Sequence, residues 1–212
     1  MERAEAFLLD QIPVAQRALI PTTLKVAYAA ATAHIKDTPF LNVPSVQPGR
    51  IIQWAVDFGF NGLIESGQWS AEPRWRFYEK PTGKYLEILL THSVVTISQV
   101  ADPTKQPRDV VFRANKRLTA QAWLRNLPNP KEEISTTGIP HILLLHGHQD
   151  LNFAHLGIPN ENHAQGFIHR TRNLMLMPHE VATPEPPPEE TDIEAVMTLK
   201  EEIDKWRKDN AE

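Results

Sequence analysis

Cysteine is absent from this chain of 212 residues. That absence excludes disulfide frameworks, thiolate-ligated zinc, iron–sulfur clusters and thiol catalysis. Any metal would have to be held by histidine and carboxylate. No stretch approaches the roughly 18 consecutive apolar residues of a membrane span, so no membrane partner is expected. A basic, then apolar leader is missing as well, since Glu2, Glu5 and Asp10 fall within the first ten residues. A cysteine-free chain without such segments suits a reducing compartment, and a cytoplasmic location is expected. Nothing repeats at a fixed period, which argues against a solenoid or a propeller. Glycine is scarce, with nine residues against 18 prolines, so turns and loops are marked mainly by proline.

What is present reads first as helix. Residues 2–11 are amphipathic. Pro21 stands where the first turn of a helix tolerates proline, and Leu24, Tyr28, Ala31 and Ile35 follow at spacings of four, three and four, which places them on one face. Three prolines within 38–49 predict a loop. A helix is then expected over 50–64, burying Ile51, Trp54, Ala55 and Phe58, with Gly62 and Gly67 marking its end.

The period changes to two in the middle of the chain. Residues 74–79 and 84–89 flank the turn Pro81-Thr82-Gly83 and predict a hairpin. The β-branched run 93–100 predicts a strand, and 109–113 another after the turn at Asp102-Pro103, giving a meander of about four antiparallel strands. A short helix over 119–125, a polar loop over 127–138, an apolar strand over 141–145 and a further strand within 167–177 complete the body. The expected fold class is α+β, with N-terminal helices packed on a mainly antiparallel sheet of about four to six strands. The expected organisation is a body over 1–180, a Pro/Glu-rich tether over 181–190 and an acidic amphipathic helix over 191–212.

Charge is distributed unevenly. The net charge is −4, yet residues 72–126 carry ten basic side chains against five acidic, and residues 180–212 carry eleven acidic against four basic. On the hairpin, Arg74, Arg76, Tyr78, Lys80 and Lys84 accompany an opposite face of Trp75 and Phe77. Cations and a tyrosine on one strand face suit phosphate contact and base stacking. Lys105, Arg108, Arg113, Lys116 and Arg117 extend that surface in the sequence. An ordinary hairpin with a solvated basic face gives the same pattern.

Seven of the nine histidines fall within 141–179. The sharpest element is His146-Gly147-His148-Gln149-Asp150, an H-x-H-x-D pattern leaving a strand. Two imidazoles and a carboxylate in a tight turn can hold a divalent ion such as zinc and activate water for hydrolysis. The pattern resembles the H-x-H-x-D-H element of the metallo-β-lactamase fold, a likeness of about eight residues that implies metal ligands at His146, His148 and Asp150. Leu151 stands where that family has a further histidine. A smaller site would draw on His155 or His163. Histidines serving as hydrogen-bonding or half-buried residues at a strand end fit the same spacing. Leu145-His146-Gly147 also looks like the turn before an α/β-hydrolase oxyanion hole, but the chain has no G-x-S-x-G elbow.

In the tail, Pro184, Pro186, Pro187 and Pro188 alternate with glutamates and predict an extended spacer. Thr191-Asp192-Ile193-Glu194 forms a capping-box pattern. Ile193, Val196, Leu199, Ile203 and Trp206 share one helical stripe, suited to docking on the body or on a protein partner. The function expected from these features is that of a non-catalytic regulatory or interaction protein, antitoxin-like or transcription-associated, binding a protein or nucleic acid without a cofactor. The alternative is a metal-dependent hydrolase or phosphodiesterase centred on His146, His148 and Asp150.

Overall fold

In the computed structural model, residues 3–38, 41, 47–77, 83–108, 113, 116 and 139–179 are described. Three helices come first: α1 (Arg3–Gln11), α2 (Val14–Asp37) and α3 (Pro48–Glu65). Six strands follow: β1 (Glu72–Phe77), β2 (Lys84–Leu89), β3 (Val94–Val100), β4 (His141–Gly147), β5 (Ala154–Pro159) and β6 (Phe167–Arg170). They form one mixed sheet in the order β1-β2-β3-β4-β5-β6. Every pairing is antiparallel except β3 with β4, which run parallel with Val94 opposite His141 and Val100 opposite Gly147. The α+β class and the mainly antiparallel sheet therefore agree with the expectation from sequence.

The main core lies between the helices and one face of the sheet. Leu8, Ile20, Leu24, Ile52, Val56 and Phe60 meet Leu86, Ile88, Val95, Ile97, Ile142, Leu144, Leu156 and Ile158. Residues alternate across a strand, so the neighbours of these side chains face the other way. There Val100, Leu143, Leu145 and Phe153 make a second, smaller cluster with Phe167 against it. Strand β4 is buried along its whole length, which accounts for its unbroken apolar run. Helix α1 is tied to the turn between β2 and β3 by Gln11, whose Oε1 accepts from the His92 N–H and the Ser93 hydroxyl, each at 2.9 Å.

The structure corrects several local expectations. Helix α2 begins at Val14, so Pro21 is an interior residue and not a first-turn residue. The length of apolar surface that this helix can bury outweighs the one backbone hydrogen bond that proline removes. Leu24, Tyr28 and Ala31 are buried as expected, while Ile35 is only half-buried. Helix α3 presents a neighbouring face to the core: Ile52, Val56, Phe60 and Ile64 are buried, Ile51, Ala55 and Phe58 are half-buried, and Trp54 is 43% exposed. The helix is apolar on more than one side, so contact with α2 chooses the face. Gly59 marks their close approach, since a Cβ there would stand 3.2 Å from Thr23 Cγ2.

Among the described strands, β3 has β2 as its antiparallel neighbour on one side and β4 as a parallel neighbour on the other. Arg113, at the end of the strand expected over 109–113, is helical. Strand β5 is not among the expected strands; it contains Gly157 and Pro159. Gly157 is required by packing: a Cβ there would lie 2.7 Å from Phe167 Cδ1. Residues 109–112, the helix expected over 119–125, the loop over 127–138, the tether and the C-terminal helix with Ile193, Val196, Leu199, Ile203 and Trp206 lie outside the described residues.

The face of α3 is open to a direct test by urea denaturation. Phe60→Ala should cost about 3–5 kcal/mol, whereas Trp54→Ala should cost under about 1 kcal/mol. Comparable losses at the two positions would contradict the placement.

Candidate anion-binding cavity and the residues around it

Parallel pairing brings the carboxyl ends of β3 and β4 side by side, with the N-terminus of α3 beside them. A cavity of about 530 Å³ opens at this junction. Gln47, Gly49, Arg50 and Gln53 come from α3 and its N-cap, Ser98 and Gln99 from β3, Arg108 and Arg113 from the chain between β3 and β4, and His148 and Gln149 from the turn after β4. Three guanidinium groups line it and, among the described residues, no carboxylate does.

Local chemistry fixes several of these groups. Arg113 donates from Nη1 to the Arg108 carbonyl at 3.0 Å and from Nη2 to Ser98 Oγ at 2.9 Å, which anchors its fork over β3. Arg50 and Arg108 are exposed, and neither is in an ion pair among the described residues. Gln99 donates from Nε2 to the Gly49 carbonyl at 2.6 Å, joining β3 to the first turn of α3. Its Oε1 is buried and has no hydrogen-bond partner among the described residues. Gln53 donates at 2.8 Å to Asp57, one turn further along α3. Burial pushes the Asp57 carboxyl up to about 8, against the opposing pull of the Gln53 hydrogen bond. Near neutral pH Asp57 is therefore mostly protonated and puts little negative charge behind the cavity.

The basic hairpin takes a different form from the one expected. Arg74 Nη2 and Arg76 Nε lie 3.2 and 3.4 Å from the Glu87 carboxylate, and Lys116 Nζ lies 2.9 Å from it. The Tyr85 hydroxyl donates to the same carboxylate at 3.2 Å. Glu87, whose side chain is only 3% exposed, is thus the hub on which three of the expected cations converge. Burial pushes its carboxyl up, but Lys116, Tyr85 and Arg74 together outweigh burial and hold it below the usual glutamate range. Lys84 Nζ sits 4.9 Å over the Phe77 ring. Phe77 itself is 68% exposed, whereas Trp75 is half-buried against the main core. Tyr78, Lys80 and Arg117 lie outside the described residues.

The histidines are dispersed by the turn after β4. Gly147 permits that turn, since a Cβ there would lie 1.9 Å from the Asp150 carbonyl oxygen, and Gln149 adopts a left-handed φ of 69°. His146 is fully buried on the helix-facing side, with Nδ1 2.7 Å from the Tyr28 hydroxyl. That hydroxyl donates to the Gly147 carbonyl, so Nδ1–H donates to it and Nε2 is the unprotonated nitrogen. Burial lowers the His146 pKa to about 3, leaving it neutral. His148 and Asp150 are exposed. His155 Nδ1 lies 2.9 Å from the Thr171 carbonyl, and His163 Nε2 lies 2.9 Å from that of Pro107. Among the described residues, no group of three or more histidines and carboxylates is placed to hold a metal ion.

Sequence reasoning missed Glu87 as a hub, Tyr28 as the partner of His146, and Arg50, Gln53 and Gln99 as cavity residues. No spacing rule unites residues drawn from α3, β3 and two connections. The chain matches no protein-family model, no curated protein and no solved structure.

Two titration effects follow, with opposite signs. Glu87 is held below its usual value of 4.5, so its stabilising effect is present above that pH and is lost as pH falls through the lowered value. Glu87→Ala should cost about 3 kcal/mol near neutral pH in chemical denaturation, and an unchanged midpoint would contradict the clamp. Asp57 is raised from 3.8 to about 8, so its contribution is full below 3.8 and is lost as pH rises through about 8. The melting temperature of wild type should therefore fall as pH rises from about 5 to about 8, with no further contribution from Asp57 above that, and Asp57→Asn should flatten that decline. Parallel curves for the two proteins would show that Asp57 is already ionised.

Proposed function

We propose that this is a non-catalytic regulatory or interaction protein that recognises phosphate groups of a nucleic-acid partner. The observation that carries this reading is the cavity at the ends of β3 and β4, lined by Arg50, Arg108 and Arg113 without a carboxylate among the described residues. Guanidinium groups match phosphate geometry through paired N–H donors. Arg74, Arg76 and Lys116 add two net positive charges beside Glu87 and extend the same electrostatic field, since three cations share one carboxylate. The acidic segment from residue 180 onward gives the chain its own competitor for those cations, and its apolar stripe gives it a means of docking on a protein partner. No described helix is long and apolar enough to cross a membrane.

Fluorescence anisotropy with a labelled single-stranded oligonucleotide at about 50 and about 200 mM salt tests this reading. Wild type should bind with a steep salt dependence. The double variant Arg50→Ala/Arg108→Ala should bind more weakly, with the slope of log affinity against log salt reduced by about 1.4. Removing residues 181–212 should strengthen binding, most at low salt. Equal affinity and equal salt slope in wild type and the double arginine variant would refute the assignment.

A further inference from the structure

We propose that the cavity at the ends of β3 and β4 takes a single nucleotide unit, with its phosphate on Arg50, Arg108 and Arg113 and a base or sugar donor on Gln99. The inference rests on the anion-binding reading and goes beyond it in naming a ligand with two chemical ends. The volume of about 530 Å³ lies inside the roughly 300–1,000 Å³ range of small-molecule sites.

The cationic end is preorganised. Arg113 is fixed by two hydrogen bonds from its guanidinium, so it loses little freedom on meeting a phosphate. Arg50 and Arg108 stand at the rim without an ion pair among the described residues. Among the described residues, no carboxylate lines the cavity.

Gln99 supplies the independent second observation. Its Nε2 donates to the Gly49 carbonyl, which fixes the amide orientation and so the direction of the acceptor Oε1. That oxygen is buried and without a partner among the described residues, on a side chain that lines the cavity. A phosphate seated on the arginines through its ionised oxygens brings no base or sugar donor to that oxygen. A ligand that carries an N–H or O–H donor as well as a phosphate satisfies both ends. Nucleotides have this combination in the base amino and imino groups and in the sugar hydroxyls. Gln53 and Gln149, with paired donor and acceptor atoms, suit a base edge, and His148 adds an aromatic ring for stacking.

Isothermal titration calorimetry on the full chain provides the test, with inorganic phosphate, ribose 5-phosphate and the four nucleoside 5′-monophosphates as titrants. At least one monophosphate should bind about 10-fold tighter than inorganic phosphate, as expected for one buried hydrogen bond plus stacking. Gln99→Leu should abolish that preference, and Arg50→Ala/Arg108→Ala should lose all the phosphorylated titrants. The ladder of titrants on wild type stands without any variant, should Gln99→Leu fail to fold. An oligonucleotide with and without a 5′-phosphate separates the two sources: dependence on the terminal phosphate points to a nucleic-acid end, and independence with tight monophosphate binding points to a free nucleotide, either of which supports the site. Monophosphates that bind no better than phosphate overturn the inference. If no small titrant binds while the oligonucleotide still binds in a salt-sensitive way, the nucleotide site is overturned and the wider anion reading stands. If the oligonucleotide also fails, both fall.

Discussion

Because β3 and β4 run parallel, the chain cannot turn directly from one to the other and must cross over through residues 101–140. That single constraint arranges the remainder of the molecule. Helices α2 and α3 pack on one side of the sheet, and on the other side Arg113 reaches Ser98 of β3 and Lys116 reaches Glu87 of β2. Their carboxyl ends consequently open together beside the N-terminus of α3. Crevices outside the carboxyl ends of parallel strands are common ligand sites in open sheets that contain helices, and here the crevice is lined by arginine and glutamine.

Two carboxyl groups set the electrostatics of this arrangement from opposite directions. Glu87 is buried but charged, because Arg74, Arg76, Lys116 and Tyr85 surround it. It holds Lys116 against the outer face of the sheet. Asp57 is buried near one glutamine and is kept mostly protonated at neutral pH. It therefore adds little negative charge to this end of α3. His146 follows the same logic, since burial keeps it neutral and the Tyr28 hydroxyl satisfies its Nδ1.

Much of the fold was legible in the sequence because its signals are periodic. The helices over the first third, the hairpin and the apolar strand at His141 all declare themselves through spacing. Three features did not. The buried face of α3 depends on contact with α2, since Ile51, Trp54 and Phe58 are as apolar as Ile52, Val56 and Phe60. Strand β5 contains Gly157 and Pro159, and Gly157 is explained only by the Phe167 ring against it. The parallel sense of β3 and β4 is a tertiary property with no local signature. The site shows the same division: Arg74, Arg76, Arg113 and Lys116 were visible as a run of cations, but the carboxylate that gathers three of them and the glutamines of the cavity belong to separate elements. The H-x-H-x-D pattern was conspicuous in sequence, yet the turn at Gly147 leaves His146 buried and His148 exposed.

The central claim is that parallel pairing of β3 and β4 builds a binding cavity for a phosphorylated ligand. Two-dimensional NMR of the labelled full chain, titrated with a mixture of nucleoside 5′-monophosphates, locates the response most directly. The account predicts shifts concentrated on the backbone amides of Gly49 and Arg50, the side-chain amide of Gln99 and the amides of His148 and Gln149, with β5 and β6 undisturbed. Shifts confined to the β1–β2 hairpin, or no localised shift at saturating ligand, would contradict it.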